Sequence, residues 1–356
     1  MKRTLFINIL VLCALVLIVE IGGQLYSRWA YGMSLAERTA QYRRDAQDSV
    51  TVFERHPYLV AIPKRSVSIG RTGASISTTP MRTRVTGLTP PKPGAITVAL
   101  VGGSTTFGTK VTDADSWPWL LQEKLGDRYA VINYGVPGYT TAENIIQMAL
   151  IVPEAKPAIV VFFEGWNDIR NYHWPEFSPD YYSHGLTQVD TLIPAVLDDA
   201  PFLARAARYS FVMDLLNRAF GAPVGAAPVP PSSEPDEAVD RVYVRNLQTL
   251  KALAHRFEMT ALFVPQVMND ANFTKKGESR SWTPYIEDAA LPTLIRQFNG
   301  LMSGICTRDE PRCQYVGEVV DATWGGNDFV DEGHLSRQGG EKLATILAGR
   351  ITRLAN

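Results

Sequence analysis

Four short segments of the chain carry side chains that could act together on a carbonyl group. They are Gly102-Gly103-Ser104, Gly138, Gly165-Trp166-Asn167-Asp168 and Asp331-Glu332-Gly333-His334. The first supplies a hydroxyl, and the last supplies an imidazole with a carboxylate three residues before it. A hydroxyl beside an imidazole that a carboxylate orients is the arrangement used for nucleophilic acyl transfer. Each segment is weak alone, so the inference depends on their order and on their positions at the ends of predicted strands.

Ser104 follows a short apolar run, residues 96–101, and two glycines. The run predicts a buried parallel strand, and the glycines allow a sharp turn that presents the Ser104 hydroxyl and N–H at the strand end. The segment is not the Gly-x-Ser-x-Gly elbow, because position 106 is Thr. A glycine-rich turn before a helix also binds anions, so a phosphate-binding turn remains an alternative.

Gly138 and Asn167 each follow a predicted strand and could donate hydrogen bonds to one oxygen atom. The Gly138 N–H and the Asn167 side-chain amide are suitable donors for an oxyanion. Taken alone, each residue is explained by an ordinary turn. We expect Asp168 to brace the loop that carries Asn167.

His334 is the histidine whose surroundings fit a general base. Asp331 lies three residues before it, and Ser336 is a suitable N-cap for a final helix. Among the five histidines, His173 and His184 fall in a predicted insertion and could touch a substrate. Exposed or structural roles are expected for those two and for His56 and His255.

Strands and helices alternate from residue 96 onward, which predicts a parallel sheet covered by helices on both faces. The expected strands are 96–101, 130–134, 158–163, 261–264 and 315–320, and the expected helices are 116–125, 141–155, 236–259 and 336–354. Residues 170–235 and 269–283 interrupt this alternation. Because insertions at strand ends face the substrate in open α/β sheets, we interpret both as lids.

The N-terminus predicts a membrane segment. Lys2 and Arg3 precede an apolar stretch from Leu5 to Leu25, which is long enough to cross a bilayer with the N-terminus in the cytoplasm. A signal peptide cleaved near Gly22-Gly23 is the alternative, and both place the rest of the chain outside the cytoplasm. The expected domains are 1–26 as the anchor or signal, 27–94 as a juxtamembrane helix and approach segment, and 95–356 as the globular body.

Composition excludes several classes of protein. The 356 residues are 46% hydrophobic, which is enough for a substantial core and excludes a disordered chain. Basic and acidic residues number 35 and 36, so a nucleic-acid partner is not expected. Cys306 and Cys313 could form a disulfide in an oxidising compartment or stay as two thiols, and both alternatives remain open. Zinc is disfavoured because further ligands at suitable spacing are missing nearby.

These motifs resemble blocks I, II, III and V of the SGNH (GDSL-type) hydrolases, over about residues 96–352. The resemblance implies a three-layer α/β/α sandwich with a flavodoxin-like, five-stranded parallel sheet. It implies that Ser104 is the nucleophile, His334 the general base and Asp331 its orienting acid. It also implies an oxyanion hole formed by the N–H groups of Ser104 and Gly138 and by Asn167 Nδ2. The chain departs from the family in one place, since Gly103 replaces the Asp of Gly-Asp-Ser.

The expected function is that of a membrane-tethered or secreted serine hydrolase that acts on acyl esters, with no cofactor and no metal. Envelope carbohydrates bearing O-acyl groups and lipids are both plausible substrates in that compartment. An O-acyltransferase that uses the same acyl-enzyme is one alternative. A non-catalytic carbohydrate-binding or scaffold protein of the same fold is another.

Overall fold

The computed structural model describes residues 2–71, 74–89, 91–192, 202–220 and 230–354. The helices in these ranges are α1 (Lys2–Tyr31), α2 (Leu35–Val52), α3 (Ser104–Phe107), α4 (Trp117–Leu125), α5 (Thr141–Leu150), α6 (Tyr182–Leu192), α7 (Phe202–Ala207), α8 (Phe211–Phe220), α9 (Glu237–Arg256), α10 (Leu291–Ser303), α11 (Glu318–Asp321) and α12 (Arg337–Leu354). The strands are β1 (Phe53–Glu54), β2 (Ile62–Pro63), β3 (Ser68–Arg71), β4 (Ala74–Ser77), β5 (Ile96–Gly102), β6 (Tyr129–Asn133), β7 (Ile159–Phe163), β8 (Thr260–Val264) and β9 (Cys313–Tyr315).

The central sheet has five parallel strands in the order β6-β5-β7-β8-β9. The strand β5 therefore lies between β6 and β7, and the chain changes direction across the sheet at this point. In open α/β sheets such a switch leaves a crevice at the carboxyl ends of the strands, where ligands bind. The predicted flavodoxin-like, five-stranded sheet is confirmed.

Helices cover both faces of the sheet. One apolar core packs α5, α9 and α10 against the sheet, and a second core packs α4 and α12 against the opposite face. Every residue of β7 is buried, which explains its uninterrupted apolar sequence. The predicted three-layer α/β/α arrangement is therefore confirmed.

The last strand differs from the prediction of residues 315–320. The strand β9 ends at Tyr315, and the residues from Glu318 to Asp321 form α11. Val316, Val319 and Val320 have the i, i+3, i+4 spacing of a helical turn, and Val316 and Val319 are fully buried. The apolar run was therefore misread as a strand because both structures can bury such a short segment.

Two predicted helix starts are present and fix segments next to the site. Thr140 and Glu143 form the capping box of α5, with Glu143 Oε2 accepting the Thr140 N–H at 2.8 Å. Ser336 Oγ accepts the Gly339 N–H at 3.3 Å, as expected of the residue before α12. Thr140 lies on the loop that follows β6, and Ser336 lies two residues after His334, so the caps help to fix the path of both segments.

The segment before the sheet packs against the globular body. Arg84 is 1% exposed, and its Nε donates to Asp113 Oδ1 at 2.9 Å. Its guanidinium also donates to the carbonyls of Phe107 and Val111, each at 2.8 Å. Arg84 thereby ties together the turn that follows α3, the helix on which Ser104 lies.

Contacts group the chain into two compact units. The described residues of 51–192 and 229–356 form one unit, and those of 1–50 and 193–228 form the other. The expected insertion at 170–235 is therefore divided, since α6 belongs to the first unit and α7 and α8 belong to the second. The domain boundaries expected at residues 26 and 94 stay predictions.

In the smaller unit, α1 carries a polar residue that caps another helix. The stretch Lys2–Ala30 of α1 is long and apolar enough to cross a membrane, a property that signal sequences share. In the second half of α1, Glu20 accepts hydrogen bonds from Ser210 Oγ at 2.7 Å and from the N–H groups of Phe211 and Val212 at 3.0 and 3.1 Å. These N–H groups are the unpaired donors at the start of α8.

Cys306 and Cys313 form a disulfide, with their Cα atoms 5.3 Å apart. The bond joins the segment after α10 to the first residue of β9, which is the edge strand of the sheet. Cys313 is buried and packs in the core that contains α9 and α10. The disulfide therefore fixes an edge strand of three residues that has few ladder bonds of its own.

We expect replacement of both Cys306 and Cys313 by Ala to lower the free energy of unfolding by about 2.5 kcal/mol, because a short closed loop no longer restricts the unfolded chain. Urea unfolding of the full chain in detergent measures this change. Cys13→Ala is the control, since Cys13 is exposed and unbonded. Equal unfolding midpoints for the double variant and the wild type would contradict the prediction.

Candidate active site

Ser104 is the first residue of α3 and follows β5 directly. Its N–H therefore has no acceptor within the helix and is free for a ligand. The two preceding residues must be small. A Cβ at Gly103 would lie 2.4 Å from Asn167 Nδ2 and 3.1 Å from the Tyr139 carbonyl oxygen. The absence of a side chain at position 103 thus gives Asn167 the space in which its amide lies.

Ser104, His334 and Asp331 form a continuous chain of hydrogen bonds. His334 Nε2 lies 2.8 Å from Ser104 Oγ, and His334 Nδ1 lies 2.8 Å from Asp331 Oδ2. An ionised carboxylate only accepts hydrogen bonds, so the proton of the neutral imidazole lies on Nδ1. The lone pair of Nε2 therefore points to the Ser104 hydroxyl.

Asp331 is held in its ionised form. Its Oδ1 accepts the N–H groups of His334 and Gly333 at 2.8 and 3.0 Å, and Lys110 Nζ lies 2.7 Å from Oδ2. Burial alone would raise the pKa of Asp331, but its interactions with the His334 ring and backbone and its hydrogen bond with Lys110 outweigh burial and hold this pKa well below its usual range. A permanent anion is thus available to orient the imidazole and to stabilise its protonated form.

The loop that carries Asp331 and His334 packs against the loop that carries Asn167. A Cβ at Gly333 would lie 2.6 Å from Trp166 Cζ2, so the indole rests directly on the backbone at this glycine. The Asn269 N–H donates to the Glu332 carbonyl at 2.9 Å from the other side. The position of the imidazole therefore depends on Trp166, which is itself 7% exposed.

The predicted oxyanion donors lie on the rim of the same cavity as Ser104. Asn167 Nδ2 donates one proton to the Tyr139 carbonyl at 2.9 Å, which fixes the amide and leaves its second proton for a ligand. Gly138 has a φ of +81°, a conformation that favours glycine, and a Cβ there would lie 2.1 Å from Gln188 Cδ.

Asp168 connects the Asn167 loop to the start of α5. Its Oδ1 accepts hydrogen bonds from the Thr141 N–H at 3.1 Å and from the Thr141 hydroxyl, whereas Oδ2 has no hydrogen-bond partner among the described residues. Burial and the nearby Glu143 carboxyl raise the pKa of Asp168 to about 7. Its contacts are those expected of a brace for the loop.

A cavity of about 270 Å³ contains the whole arrangement. Its walls are formed by Ser104, Thr109, Lys110, Pro137, Gly138, Trp166, Asn167, Arg170, Gln188, Trp282, Asp331, Glu332, Gly333 and His334. All of these residues belong to the larger unit. Within the described ranges no cluster of three or more His, Cys, Asp or Glu side chains could hold a metal ion.

The structure brings all six sequence-predicted residues to this region, although their chemical roles stay predictions. Sequence reasoning missed Lys110, Arg170, Gln188 and Trp282, which carry no motif and reach the cavity only through the fold. Of the other histidines, His184 is 4% exposed, and its Nε2 lies 2.8 Å from the Gly138 carbonyl. A structural role fits it, because burial and the nearby Arg170 lower its pKa to about 4.

We expect Asp168→Asn to flatten the pH dependence of stability. The Asp168 pKa is raised when the chain is folded, so the unfolded chain loses this proton first and the free energy of unfolding falls between about pH 4 and pH 7. The free energy of unfolding falls by at most about 4 kcal/mol over this range. The side-chain amide in Asp168→Asn keeps an oxygen that can accept from Thr141, but it does not titrate. Denaturation of both proteins across this pH range measures the difference.

Asp309→Asn is the matched control, because Asp309 is exposed. It should keep the wild-type dependence on pH. Parallel pH profiles for Asp168→Asn and the wild type would show that Asp168 is ionised in the folded protein throughout this range.

Comparison with solved structures finds similar chains at low sequence identity. A GDSL-like lipase of Bacteroides thetaiotaomicron aligns with 75% of this chain and 92% of its own, at 14% identity and a TM-score of 0.42. A lipase/acylhydrolase of Enterococcus faecalis aligns with 72% of this chain and 95% of its own, at 16% identity and a TM-score of 0.39.

Sequence comparison with curated proteins finds Esterase TesA of Pseudomonas aeruginosa, 34% identical over 77 residues. The match covers 21% of this chain, and the chain spans 38% of the length of that relative. The family model described as "GDSL-like Lipase/Acylhydrolase family" matches residues 100–288, which is more than half of the chain. The resemblance inferred from the motifs is confirmed, and the chain belongs to the GDSL-like lipase/acylhydrolase family.

Proposed function

We propose that this protein is a serine hydrolase that cleaves carboxylic esters through an acyl-enzyme on Ser104. The observation that carries the proposal is the chain of hydrogen bonds from Ser104 Oγ to His334 Nε2 and from His334 Nδ1 to Asp331. Membership of the GDSL-like lipase/acylhydrolase family supports the same reaction class.

In the first step His334 Nε2 takes the Ser104 hydroxyl proton while Oγ attacks the ester carbonyl carbon. The imidazolium that forms is stabilised by Asp331, which stays ionised. Collapse of the tetrahedral intermediate breaks the bond to the alcohol oxygen, and His334 returns the proton to that oxygen. The acyl group is then bonded to Ser104 Oγ.

Three donors stabilise the oxyanion of the intermediate in this proposal: the N–H groups of Ser104 and Gly138, and Asn167 Nδ2. One such donor contributes roughly 3 to 4 kcal/mol to lowering the barrier. The hydrogen bond from Asn167 Nδ2 to the Tyr139 carbonyl supports this role, because a fixed amide needs no reorganisation when the negative charge develops.

The second step repeats the first with water as the nucleophile. His334 Nε2 takes a proton from the water, the new oxygen attacks the acyl carbon, and Ser104 leaves with the proton that His334 returns.

O-acyl groups of envelope carbohydrates and acyl groups of lipids are the substrates that we propose, with the catalytic unit outside the cytoplasm. The basic residues Lys2 and Arg3 at the start of α1 and the Cys306–Cys313 disulfide support that location.

A fluorophosphonate probe tests the nucleophile directly. We expect the wild type to be labelled, and Ser104→Ala and His334→Ala to lose labelling, because the first lacks the attacking oxygen and the second lacks its base. Intact-mass measurement of the full chain in detergent reads out the adduct.

Ser303→Ala is the matched control, since Ser303 is an exposed serine at the end of α10. It should be labelled like the wild type. Labelling of Ser104→Ala at the wild-type rate would disprove the assignment of the nucleophile.

Gly103→Ala tests the oxyanion hole without replacing a proposed donor residue. The new Cβ would lie 2.4 Å from Asn167 Nδ2 and must displace the amide. We expect kcat for 4-nitrophenyl acetate to fall roughly 10²- to 10³-fold, as for loss of one oxyanion donor.

Gly300→Ala in α10 is the control, because a Cβ there meets no atom within 4 Å. It should keep wild-type kcat. If Gly103→Ala is folded and equally active, Asn167 does not stabilise the transition state from its present position.

A further inference from the structure

The charged groups that line the active-site cavity are paired, with one exception. Lys110 Nζ lies 2.7 Å from Asp331 Oδ2, and Glu332 forms an ion pair with Arg280. Arg170 lines the same cavity and has no acidic partner among the described residues. Arg170 is therefore the charged group of the cavity lining that forms no ion pair within the described part of the chain, whereas Arg280 is shared between Glu332 and Asp288.

Arg170 is held in place by neutral acceptors. Its Nε donates to the Trp282 carbonyl at 2.7 Å, and its Nη1 donates to Gln188 Oε1 at 3.1 Å. Burial lowers the pKa of Arg170 to about 10, so the guanidinium stays charged at neutral pH. A guanidinium has five N–H donors, and two hydrogen bonds leave the others available. Partial burial of a cation without an anion is unfavourable, and a negatively charged ligand would relieve that cost.

Gln188 places this cation beside the proposed oxyanion hole. Its side chain lies over Gly138, so closely that a Cβ at position 138 would be 2.1 Å from Gln188 Cδ. Because Gln188 Oε1 accepts from Arg170, the guanidinium is one side chain away from Gly138. His184, on the same helix, lies 2.8 Å from the Gly138 carbonyl and adds no acidic group.

We propose that Arg170 binds a carboxylate of the ester substrate, so that the enzyme prefers esters that carry a negative charge close to the scissile bond. This inference rests on the proposed function and adds the chemical class of its substrate. A guanidinium matches a carboxylate in geometry and forms two parallel hydrogen bonds with it. Trp282 and Trp166, stacked with ring centroids 5.0 Å apart, form the apolar wall beside this group.

The carboxylate could belong to the acyl group or to the alcohol, and two pairs of esters separate these sources. The first pair is mono(4-nitrophenyl) glutarate and 4-nitrophenyl valerate, which differ in charge on the acyl side. The second pair is 4-acetoxybenzoate and its methyl ester, which differ in charge on the alcohol side. The readout in each pair is the ratio of kcat/KM for the charged ester to kcat/KM for the neutral ester.

We expect the wild-type ratio to favour the charged ester by roughly tenfold or more in one of the two pairs. Arg170→Met should bring that ratio close to one, because the cation is gone. Gln188→Glu should do the same while Arg170 is still present, since a carboxylate of nearly equal size would then pair with the guanidinium. Arg308→Met, at an exposed arginine of the larger unit, is the matched control and should keep the wild-type ratio.

Binding to Ser104→Ala separates the inference from the reaction. The four esters are titrated into Ser104→Ala and into Ser104→Ala with Arg170→Met, neither of which has the nucleophile. If a charged ester binds Ser104→Ala more tightly than its neutral partner, and this difference disappears with Arg170→Met, the anion site is supported. That support stands even if the wild type cleaves no ester, because absence of cleavage would overturn only the proposed function. Two results would overturn the inference and leave the proposed function in place. The first is hydrolysis of the neutral esters with no charge preference in either pair, and the second is a charge preference that survives both Arg170→Met and Gln188→Glu.

Discussion

Close approach of two loops that leave neighbouring parallel strands is the constraint on which the site depends. Gly102 of β5 pairs with Phe163 of β7, so the chain segments that carry Ser104 and Asn167 leave the sheet side by side. The space between them is too small for a side chain at position 103, and the Asn167 amide occupies it. The residue that replaces the family's Asp is thus explained by packing, and the loss of that Asp removes no group that the proposed proton transfers need.

Three consecutive residues after β7, Trp166, Asn167 and Asp168, each hold a different part of the site in place. Trp166 supports the backbone at Gly333 and so the loop that carries His334. Asn167 reaches the Tyr139 carbonyl, and Asp168 holds Thr141 at the start of α5. A single short loop therefore links the base, the proposed oxyanion donors and the helix that follows Gly138. This linkage explains why buried polar residues are concentrated here in spite of the cost of desolvating them.

Local patterns were sufficient to predict the elements and residues that depend on nearby sequence. The apolar run of β7, the capping box at Thr140 and the spacing of Asp331 and His334 each indicate their structure within a few residues. Residues that reach the site from distant segments had no such signal. Lys110 meets Asp331 across 221 positions through a left-handed turn, with a φ of 72° at Lys110, and Arg170 meets the Trp282 carbonyl 112 residues away. The last strand was misplaced because a short apolar run fits both a strand and a helical turn.

The cap that Glu20 provides for α8 bears on how the N-terminus is processed. Glu20 and Ser210 are 190 residues apart in sequence, yet the Glu20 carboxylate accepts hydrogen bonds from the first backbone N–H groups of α8, the helix that follows Ser210. Peptidase cleavage at Gly22-Gly23 would remove this acceptor and leave two amide groups exposed at the start of an amphipathic helix. Loss of the residues before Gly23 would therefore affect the folding of α8, which is synthesised much later. If these residues are retained, they form part of the mature tertiary structure.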